Sequence, residues 1–113
     1  MIVEERMYTL HPGKAAEYLK CYEQEGLAIQ RPVLGRFLGY YYTEVGALNM
    51  VIHMWAYEGF EDREKRRAAL AQDPRWLAYG AKVRPLVLTQ ENRILRPASF
   101  WQPELRKLFP AER

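Results

Sequence analysis

The sequence predicts an α+β domain with one four-stranded antiparallel sheet and its helices packed on one face, the ferredoxin-like arrangement. Three observations lead to this prediction. The 113 residues are enough for one domain and too few for two ordinary ones. Segments rich in β-forming residues alternate with helical segments in the order βαββαβ. The two middle strands are joined by a short turn, and layer rules then place both helices on the same side of the sheet.

The first strand and the first helix are predicted from a change of hydrophobic period. Residues 2–10 are rich in β-forming side chains and end at the breaker cluster His11-Pro12-Gly13. From Lys14 onward apolar side chains recur every three or four residues, which indicates an amphipathic helix. Glycine and the residue before a proline both disfavour further helix. The helix is therefore expected to end near Gly26 or, at the latest, before Arg31-Pro32.

Residues 35–43 and 48–57 predict a β-hairpin. Both segments are rich in aromatic and β-branched side chains, and Gly46 between them can adopt a positive φ. A turn centred on Val45-Gly46 places Leu38 opposite His53. Both faces of the hairpin are largely apolar or aromatic, whereas an antiparallel sheet with one wet face alternates with polar residues. Because the helices cover one face only, the other is expected to pack against a second copy in a two-fold dimer.

The second half of the chain repeats the alternation of helix and strand. Residues 61–71 are charged helix formers with the acidic residues first, as the helix dipole favours. Asp73-Pro74 is typical of an N-cap followed by the first helical position, and predicts a separate helix that ends near Val83. Residues 86–95 predict the last strand.

A domain over residues 1–97 and a tail over residues 98–113 are the predicted divisions of the chain. The tail is punctuated by proline and carries Phe100 and Trp101. It is too apolar to extend freely into water, so we expect it to pack on its own or on the partner subunit.

Composition excludes several classes of function. The net charge is +3, from 17 basic and 14 acidic residues, which is weak for a nucleic-acid binder. Cys21 is the only cysteine, so no intrachain disulfide is expected and a reducing, cytoplasmic location is predicted. No apolar run approaches the roughly 20 residues that a membrane-spanning helix needs. With two histidines and no glycine-rich phosphate loop, neither a metal site nor a cofactor is predicted.

Several polar and aromatic side chains of three neighbouring strands are predicted to share one face of the sheet. They are Arg6, Tyr8, Tyr40, Tyr42, His53, Trp55 and Tyr57. Together they could bind a flat, electron-rich or anionic molecule, with His53 as the candidate catalytic residue for proton transfer near pH 7. In the alternative interpretation these side chains fill the core, His53 is satisfied by hydrogen bonds, and Arg6 pairs with Glu4 or Glu91.

Four segments resemble the NIPSNAP family, and the resemblance extends over nearly the whole chain, to about Pro97. The segments are Glu5-Arg6-Met7-Tyr8-Thr9-Leu10-His11-Pro12-Gly13-Lys14, Leu34-Gly35-Arg36-Phe37-Leu38-Gly39-Tyr40, the continuation from Thr43 through His53 to Tyr57, and residues 62–70 with Asp73-Pro74-Arg75-Trp76. The resemblance implies a dimeric α+β barrel, the fold of small antibiotic-biosynthesis monooxygenases and haem-degrading enzymes. It implies no agreed reaction.

Two classes of function therefore remain open. In the first, a homodimer binds a small hydrophobic or aromatic molecule in a pocket lined by the sheet, with a cofactor-independent monooxygenase or isomerase as an alternative by analogy of fold. In the second, the domain is a non-enzymatic protein-interaction module. Hydrogen-bonding groups clustered in a pocket favour the first class, and the lack of a recognisable nucleophile or metal set favours the second.

Overall fold

Four antiparallel strands form one sheet in the order β2-β3-β1-β4 in the computed structural model, which describes residues 1–110. The strands are β1 (Ile2–Leu10), β2 (Arg36–Tyr42), β3 (Met50–Tyr57) and β4 (Val87–Leu95). Both neighbours of β1 run antiparallel to it, so the first strand of the chain lies in the interior of the sheet. The predicted ferredoxin-like sheet is confirmed.

Five α-helices accompany the sheet over the described residues. They are α1 (Ala15–Cys21), α2 (Leu27–Leu34), α3 (Phe60–Ala71), α4 (Pro74–Val83) and α5 (Gln102–Leu108). A π-helical turn at Tyr22–Gly26 joins α1 to α2, and a 3₁₀ turn at Arg84–Leu86 joins α4 to β4. The predicted start of α4 is confirmed, because the Asp73 side chain accepts a hydrogen bond from the backbone N–H of Arg75 at 2.9 Å.

The first helical segment is longer than predicted. It runs without a break to Leu34, past both Gly26 and Pro32. Pro32 lies on the exposed side of α2, while Gln30 and Leu34 are buried. Burial of that face therefore outweighs the local preference of the proline. The helix ends at Gly35, which has a φ of +84° and donates its N–H to the carbonyl of Arg31 at 2.8 Å.

The hairpin register also differs from the prediction. Tyr40, and not Leu38, lies opposite His53, and Phe37 lies opposite Trp55. The turn causes this difference: Tyr42 pairs with Val51, so the hairpin is centred between Gly46 and Ala47, one residue later than predicted. A β-bulge between Phe37 and Gly39, with Gly39 at a φ of +124°, then changes the pairing again further along β2. The predicted pairing assumed an unbroken ladder from the turn, and one extra residue in β2 reverses the faces on the far side of the bulge.

The helices cover the face of the sheet that carries Tyr8, His53, Trp55 and Tyr57. Two clusters of buried side chains lie between the sheet and α1 to α4. One contains Tyr8, Leu10, Tyr18, Tyr22, Val51, Tyr79 and Val83, and the other contains Ile2, Leu34, Trp55, Tyr57 and Leu70. Tyrosine side chains thus take the place that aliphatic residues fill in most cores of this size.

The outer face of the sheet is partly covered by the end of the chain. Leu105 of α5 is 1% exposed, and Arg106 donates two hydrogen bonds of 2.6 Å to the Glu58 carboxylate. Between α5 and the outer face runs an apolar groove of about 500 Å³, to which Val3 and Met54 contribute. The tail therefore packs on its own subunit over the residues that the structure describes.

Glu4 forms the most deeply buried ion-pair network of the fold. Its Oε2 accepts hydrogen bonds from Arg63 of α3 at 2.7 Å, from Asn92 of β4 at 2.8 Å and from Arg6 at 3.1 Å. Burial alone would raise the pKa of Glu4. The hydrogen bonds from Arg63 and Asn92 and the charges of Arg6 and Arg67 outweigh it and hold the pKa at about 2.

Leu105→Ala is expected to lower the free energy of unfolding by about 2–4 kcal/mol, because it removes a buried side chain that anchors the tail. Leu108→Ala is the matched control on the same helix. Leu108 is 60% exposed, so its truncation should change stability by less than about 0.5 kcal/mol. Urea denaturation followed by circular dichroism measures both; equal effects of the two variants would contradict the packing of α5.

Glu4→Gln is expected to lower the free energy of unfolding by about 3 kcal/mol at pH 7, since the pKa of Glu4 falls from 4.5 to about 2 on folding. Because the folded pKa lies below the unfolded one, this stabilisation is complete above about pH 4.5 and is lost as the pH falls toward 2. The difference between wild type and variant should therefore shrink between pH 7 and pH 3 in urea denaturation.

Glu5→Gln is the control for this prediction. Glu5 lies on the other face of β1 and pairs with the exposed Arg93. Its replacement should cost less than about 1 kcal/mol, because its ion pair is exposed to solvent. A Glu4 effect that is equally large at pH 3 and at pH 7 would mean that the ionised carboxylate does not stabilise the fold.

Candidate functional site

A cavity of about 150 Å³ lies between the sheet and the helices, at the end where α1, the π-helical turn and α4 cross β1 and β3. Most of its wall is aromatic. The lining residues are Tyr8, Tyr18, Tyr22, Gln30, Tyr40, His53, Trp76, Tyr79, Gly80, Val83, Arg84 and Gln90. Engineered cavities of about this volume hold one benzene molecule, so the space fits a ligand of roughly one ring.

His53 is the most deeply buried polar residue of the cavity wall, with 1% of its surface exposed. The indole N–H of Trp55 donates a hydrogen bond of 2.7 Å to His53 Nδ1. The ring of Tyr40 stacks on the imidazole at a centroid distance of 4.6 Å, and Tyr8 approaches it edge-on at 5.1 Å. Position and orientation of the imidazole are thus fixed by three aromatic neighbours.

Burial lowers the pKa of His53 to about 3, and the positive charge of Arg6 acts in the same direction. The imidazole is therefore neutral at pH 7. Because Nδ1 accepts the hydrogen bond from Trp55, the proton of the neutral ring is on Nε2. Within residues 1–110, Nε2 is buried and has no hydrogen-bond partner. This geometry makes His53 a hydrogen-bond donor at neutral pH, and not a group that exchanges protons near pH 7.

The phenols of the cavity are linked by hydrogen bonds. Tyr40 donates to the Tyr18 hydroxyl at 3.2 Å, and Tyr22 donates to Gln30 Oε1 at 2.6 Å. Burial raises the pKa of Tyr18 to about 12 and also raises the pKa values of Tyr22, Tyr40 and Tyr79. The phenols are protonated at physiological pH, so the site offers neutral hydrogen-bonding groups on aromatic walls.

Arg6 and Trp55 support the cavity from behind. Arg6 Nε donates a hydrogen bond of 2.8 Å to the Tyr8 hydroxyl, and its other end pairs with Glu4. Trp55 stacks on Phe37 at a centroid distance of 4.4 Å while its N–H holds His53. The pairing of Arg6 with Glu4, one of the two partners considered from the sequence, is therefore observed.

Of the seven residues proposed from the sequence, the structure brings Tyr8, Tyr40 and His53 into the wall of the cavity. Arg6 contacts Tyr8 and Trp55 contacts His53, but neither lines the cavity itself. Tyr57 is buried in the other cluster, beside Leu34 and Leu70. Tyr42 lies at the end of β2 and is 61% exposed, away from the cavity.

The sequence did not predict the residues that the helices contribute to the cavity wall. Tyr18 and Tyr22 are four residues apart, and Trp76, Tyr79 and Val83 follow at spacings of three and four. This spacing marks the buried face of each helix, but it does not distinguish residues that fill a core from residues that line a cavity. The π-helical turn is the local signal that the sequence did not reveal.

Gly26 ends the π-helical turn and makes room for Tyr79. A Cβ atom at this position would lie 2.7 Å from three carbon atoms of the Tyr79 ring. The phenol therefore packs directly on the helix backbone and remains at the edge of the cavity. Only glycine permits this approach without a shift of the ring.

Two other kinds of site, a metal centre and a nucleophilic cysteine, find no support in the described residues. Within residues 1–110, no group of three His, Cys, Asp or Glu side chains could hold a metal ion. The Cys21 sulphur contacts Glu25 at 3.6 Å, and burial together with this carboxylate raises the pKa of the thiol, so Cys21 is not an activated nucleophile.

None of the helices described between residues 1 and 110 has the length and apolar character required to cross a membrane.

The same fold occurs in proteins with little sequence similarity to this chain. A putative antibiotic biosynthesis monooxygenase from Nitrosomonas europaea superposes with a TM-score of 0.63 at 9% identity, over 85% of this chain and 97% of that chain. SnoaB, a cofactor-independent oxygenase from Streptomyces nogalater, has a TM-score of 0.53 at 16% identity, over 84% of this chain and 90% of the other. At these identities the similarity concerns the fold alone.

Two solved structures of proteins described as NIPSNAP are more similar to this chain, in both sequence and fold. A NIPSNAP family protein from Agrobacterium tumefaciens is 49% identical, with a TM-score of 0.86 over 88% of this chain and 94% of that chain. A NIPSNAP-like domain protein from Burkholderia xenovorans is 51% identical, with a TM-score of 0.86 over 91% and 96% of the two chains.

Longer relatives are similar over part of their length. The NipSnap homolog of Dictyostelium discoideum is 31% identical over 97 residues, which are 86% of this chain and 43% of the relative. This chain thus spans less than half the length of that curated relative. The family model described as NIPSNAP matches residues 3–102. With this match over most of its length, the chain belongs to the NIPSNAP family.

Proposed function

We propose that this protein binds a small aromatic or hydrophobic molecule of about one ring in the tyrosine-lined cavity, as a cytoplasmic homodimer. The observation that carries the proposal is the unpartnered Nε2–H of His53 in the wall of an aromatic cavity of about 150 Å³. A buried donor without an acceptor is unfavourable, and a bound molecule that accepts its hydrogen bond removes this cost.

The walls of the cavity favour a flat ligand. Tyr22 and Tyr40 pack at a centroid distance of 4.4 Å on one side, and Trp76 and Tyr79 at 5.1 Å on another. Aromatic rings prefer stacked or edge-on contacts with other rings, which add to the free energy of burial. The volume is below the roughly 300 Å³ typical of sites for drug-sized ligands, so a ligand much larger than one ring requires the helices to move apart.

Dimerisation is supported by the outer face of the sheet. Met50, Ile52 and Met54 lie there on β3, beside the exposed Tyr41 of β2. An apolar face of this extent on a small domain is typical of a protein interface. A second copy that packs sheet against sheet covers it while leaving the cavity, on the opposite face, within each subunit.

A cytoplasmic location is supported by the free thiol of Cys21, which suits a reducing compartment.

Binding, and not acid-base catalysis, is the activity that the protonation states favour. The imidazole of His53 is neutral, and the raised pKa of a phenol such as Tyr40 keeps it protonated, so no phenolate is present to act as a base at pH 7. A neutral imidazole N–H can still stabilise negative charge on a bound oxygen atom, so the same site is compatible with a later gain of chemistry on a bound phenol.

Gly80→Leu tests the location of the ligand. A Cβ at Gly80 finds its nearest neighbour, Arg84 Nη2, at 3.8 Å, so the substitution fits the backbone while the rest of the leucine side chain enters the mouth of the cavity. A thermal-shift screen with single-ring aromatics such as phenol is expected to raise the melting temperature of the wild type and not that of Gly80→Leu.

Gly80→Ala is the matched control. It adds only the Cβ, is expected to stabilise α4 by about 1 kcal/mol, and should retain binding. If Gly80→Leu binds as well as Gly80→Ala, the ligand does not occupy this cavity. If no single-ring compound shifts the melting temperature of the wild type, the proposed function is wrong.

A further inference from the structure

The cavity has a polarity that the proposed function does not specify. Its wall includes the buried His53, whose Nε2 has no hydrogen-bond partner within residues 1–110, and also Arg84 and Gln90, which are exposed. No aspartate or glutamate is among the residues that line it. A site with donors and a positive charge and without carboxylates favours an anion over a cation.

The inner donor is fixed in direction. Trp55 N–H can only donate, so its 2.7 Å contact commits His53 Nδ1 as an acceptor and leaves the proton on Nε2. Tyr40 covers the imidazole by stacking, and Tyr8 contacts it with its ring edge-on. The Tyr8 hydroxyl accepts from Arg6, so its own proton points elsewhere and has no acceptor among residues 1–110. Two residues with uncommitted donor protons, His53 and Tyr8, therefore belong to the buried part of the cavity wall.

The outer end carries a charge that the fold does not use. Arg84 lies in the 3₁₀ turn after α4 and is exposed. No carboxylate of residues 1–110 forms an ion pair with it, whereas Arg6, Arg63 and Arg106 are each paired. A guanidinium at the rim of a cavity is suited to a carboxylate, which it can bind through two parallel hydrogen bonds.

We infer that the ligand is a single-ring aromatic carboxylate with a phenolic hydroxyl, the hydroxybenzoate class, whose phenolic oxygen accepts from His53 Nε2–H and whose carboxylate lies at Arg84. The inference rests on the proposed binding function and specifies its ligand. The aromatic walls receive the ring, the uncommitted donors meet the phenolic oxygen, and Arg84 neutralises the carboxylate.

Three probes separate the two ends of the ligand: 4-hydroxybenzoate, benzoate and 4-hydroxybenzyl alcohol. Isothermal titration of the full chain is expected to show 4-hydroxybenzoate binding about tenfold more tightly than either of the others, since each lacks one anchor. Arg84→Gln should weaken binding of 4-hydroxybenzoate about tenfold and leave binding of 4-hydroxybenzyl alcohol unchanged. Lys20→Gln, which removes an exposed charge on α1, is the matched control and should change neither affinity.

The inner contact has its own readout. In a long-range ¹H–¹⁵N NMR spectrum the wild type should show His53 protonated on Nε2, and the Nε2 proton should move downfield with 4-hydroxybenzoate but not with benzoate. His53→Phe should erase the preference for 4-hydroxybenzoate over benzoate. The NMR experiment needs no variant, so it tests the contact even where this substitution impairs folding.

The outcomes separate the two proposals. Equal affinities for the three probes, equal effects of Arg84→Gln and Lys20→Gln, or an unmoved Nε2 proton overturn the hydroxybenzoate assignment. If phenol still binds and is lost in Gly80→Leu, the proposed function stands without it. If neither phenol nor any of the three probes binds, both proposals are wrong.

Discussion

The helices that cover this sheet bury the polar tips of its aromatic side chains. An aliphatic face has no such tips, whereas a buried N–H or O–H without a partner costs about 1–3 kcal/mol. Neighbouring side chains satisfy three of these groups: Trp55 donates to His53, Arg6 donates to Tyr8, and Tyr40 donates to Tyr18. The buried hydroxyl of Tyr57 has no such partner within residues 1–110. Glu4 completes the set, because it neutralises Arg6 and joins β1 to α3 and β4. The cavity lies where these pairings leave His53 Nε2 without a partner.

The architecture was predictable because it depends on the spacing of apolar side chains and on the order of strands and helices along the chain. Parity along β1 and β3 correctly placed Tyr8, His53 and Trp55 on one face, and Asp73-Pro74 correctly marked the start of α4. What could not be predicted depends on contacts between distant segments. The position of the turn and the bulge in β2 together set the hairpin register, without a local sequence signal beyond Gly39, and α2 continues through Pro32 because its buried face packs on the sheet. Most of the residues that line the cavity come from helical segments, whose spacing fits any buried face.

Prediction of His53 as a site residue and prediction of its chemistry are separate matters. An unperturbed histidine titrates near pH 6.5, which suggests proton transfer. The structure places the same residue under Tyr40 and beside Trp55, where burial holds the imidazole neutral and the indole N–H fixes the tautomer. The sequence reveals the residue types on a strand face, while the role of each type follows from its partners across the fold. The fold is shared with oxygenases at 9–16% identity, so it does not supply the role either.

The π-helical turn helps to form the cavity. An ordinary α-helix from Ala15 to Leu34 would keep a constant hydrophobic stripe, and the wider turn at Tyr22–Gly26 changes the angle between the side chains before and after it. Gly26 at the end of the turn lets the Tyr79 ring rest on the backbone, where any Cβ would meet it at 2.7 Å. A regular helix with alanine at this position would push the ring toward the cavity and reduce its volume. A local backbone irregularity, with the glycine it requires, therefore keeps open the space in which His53 lacks a partner.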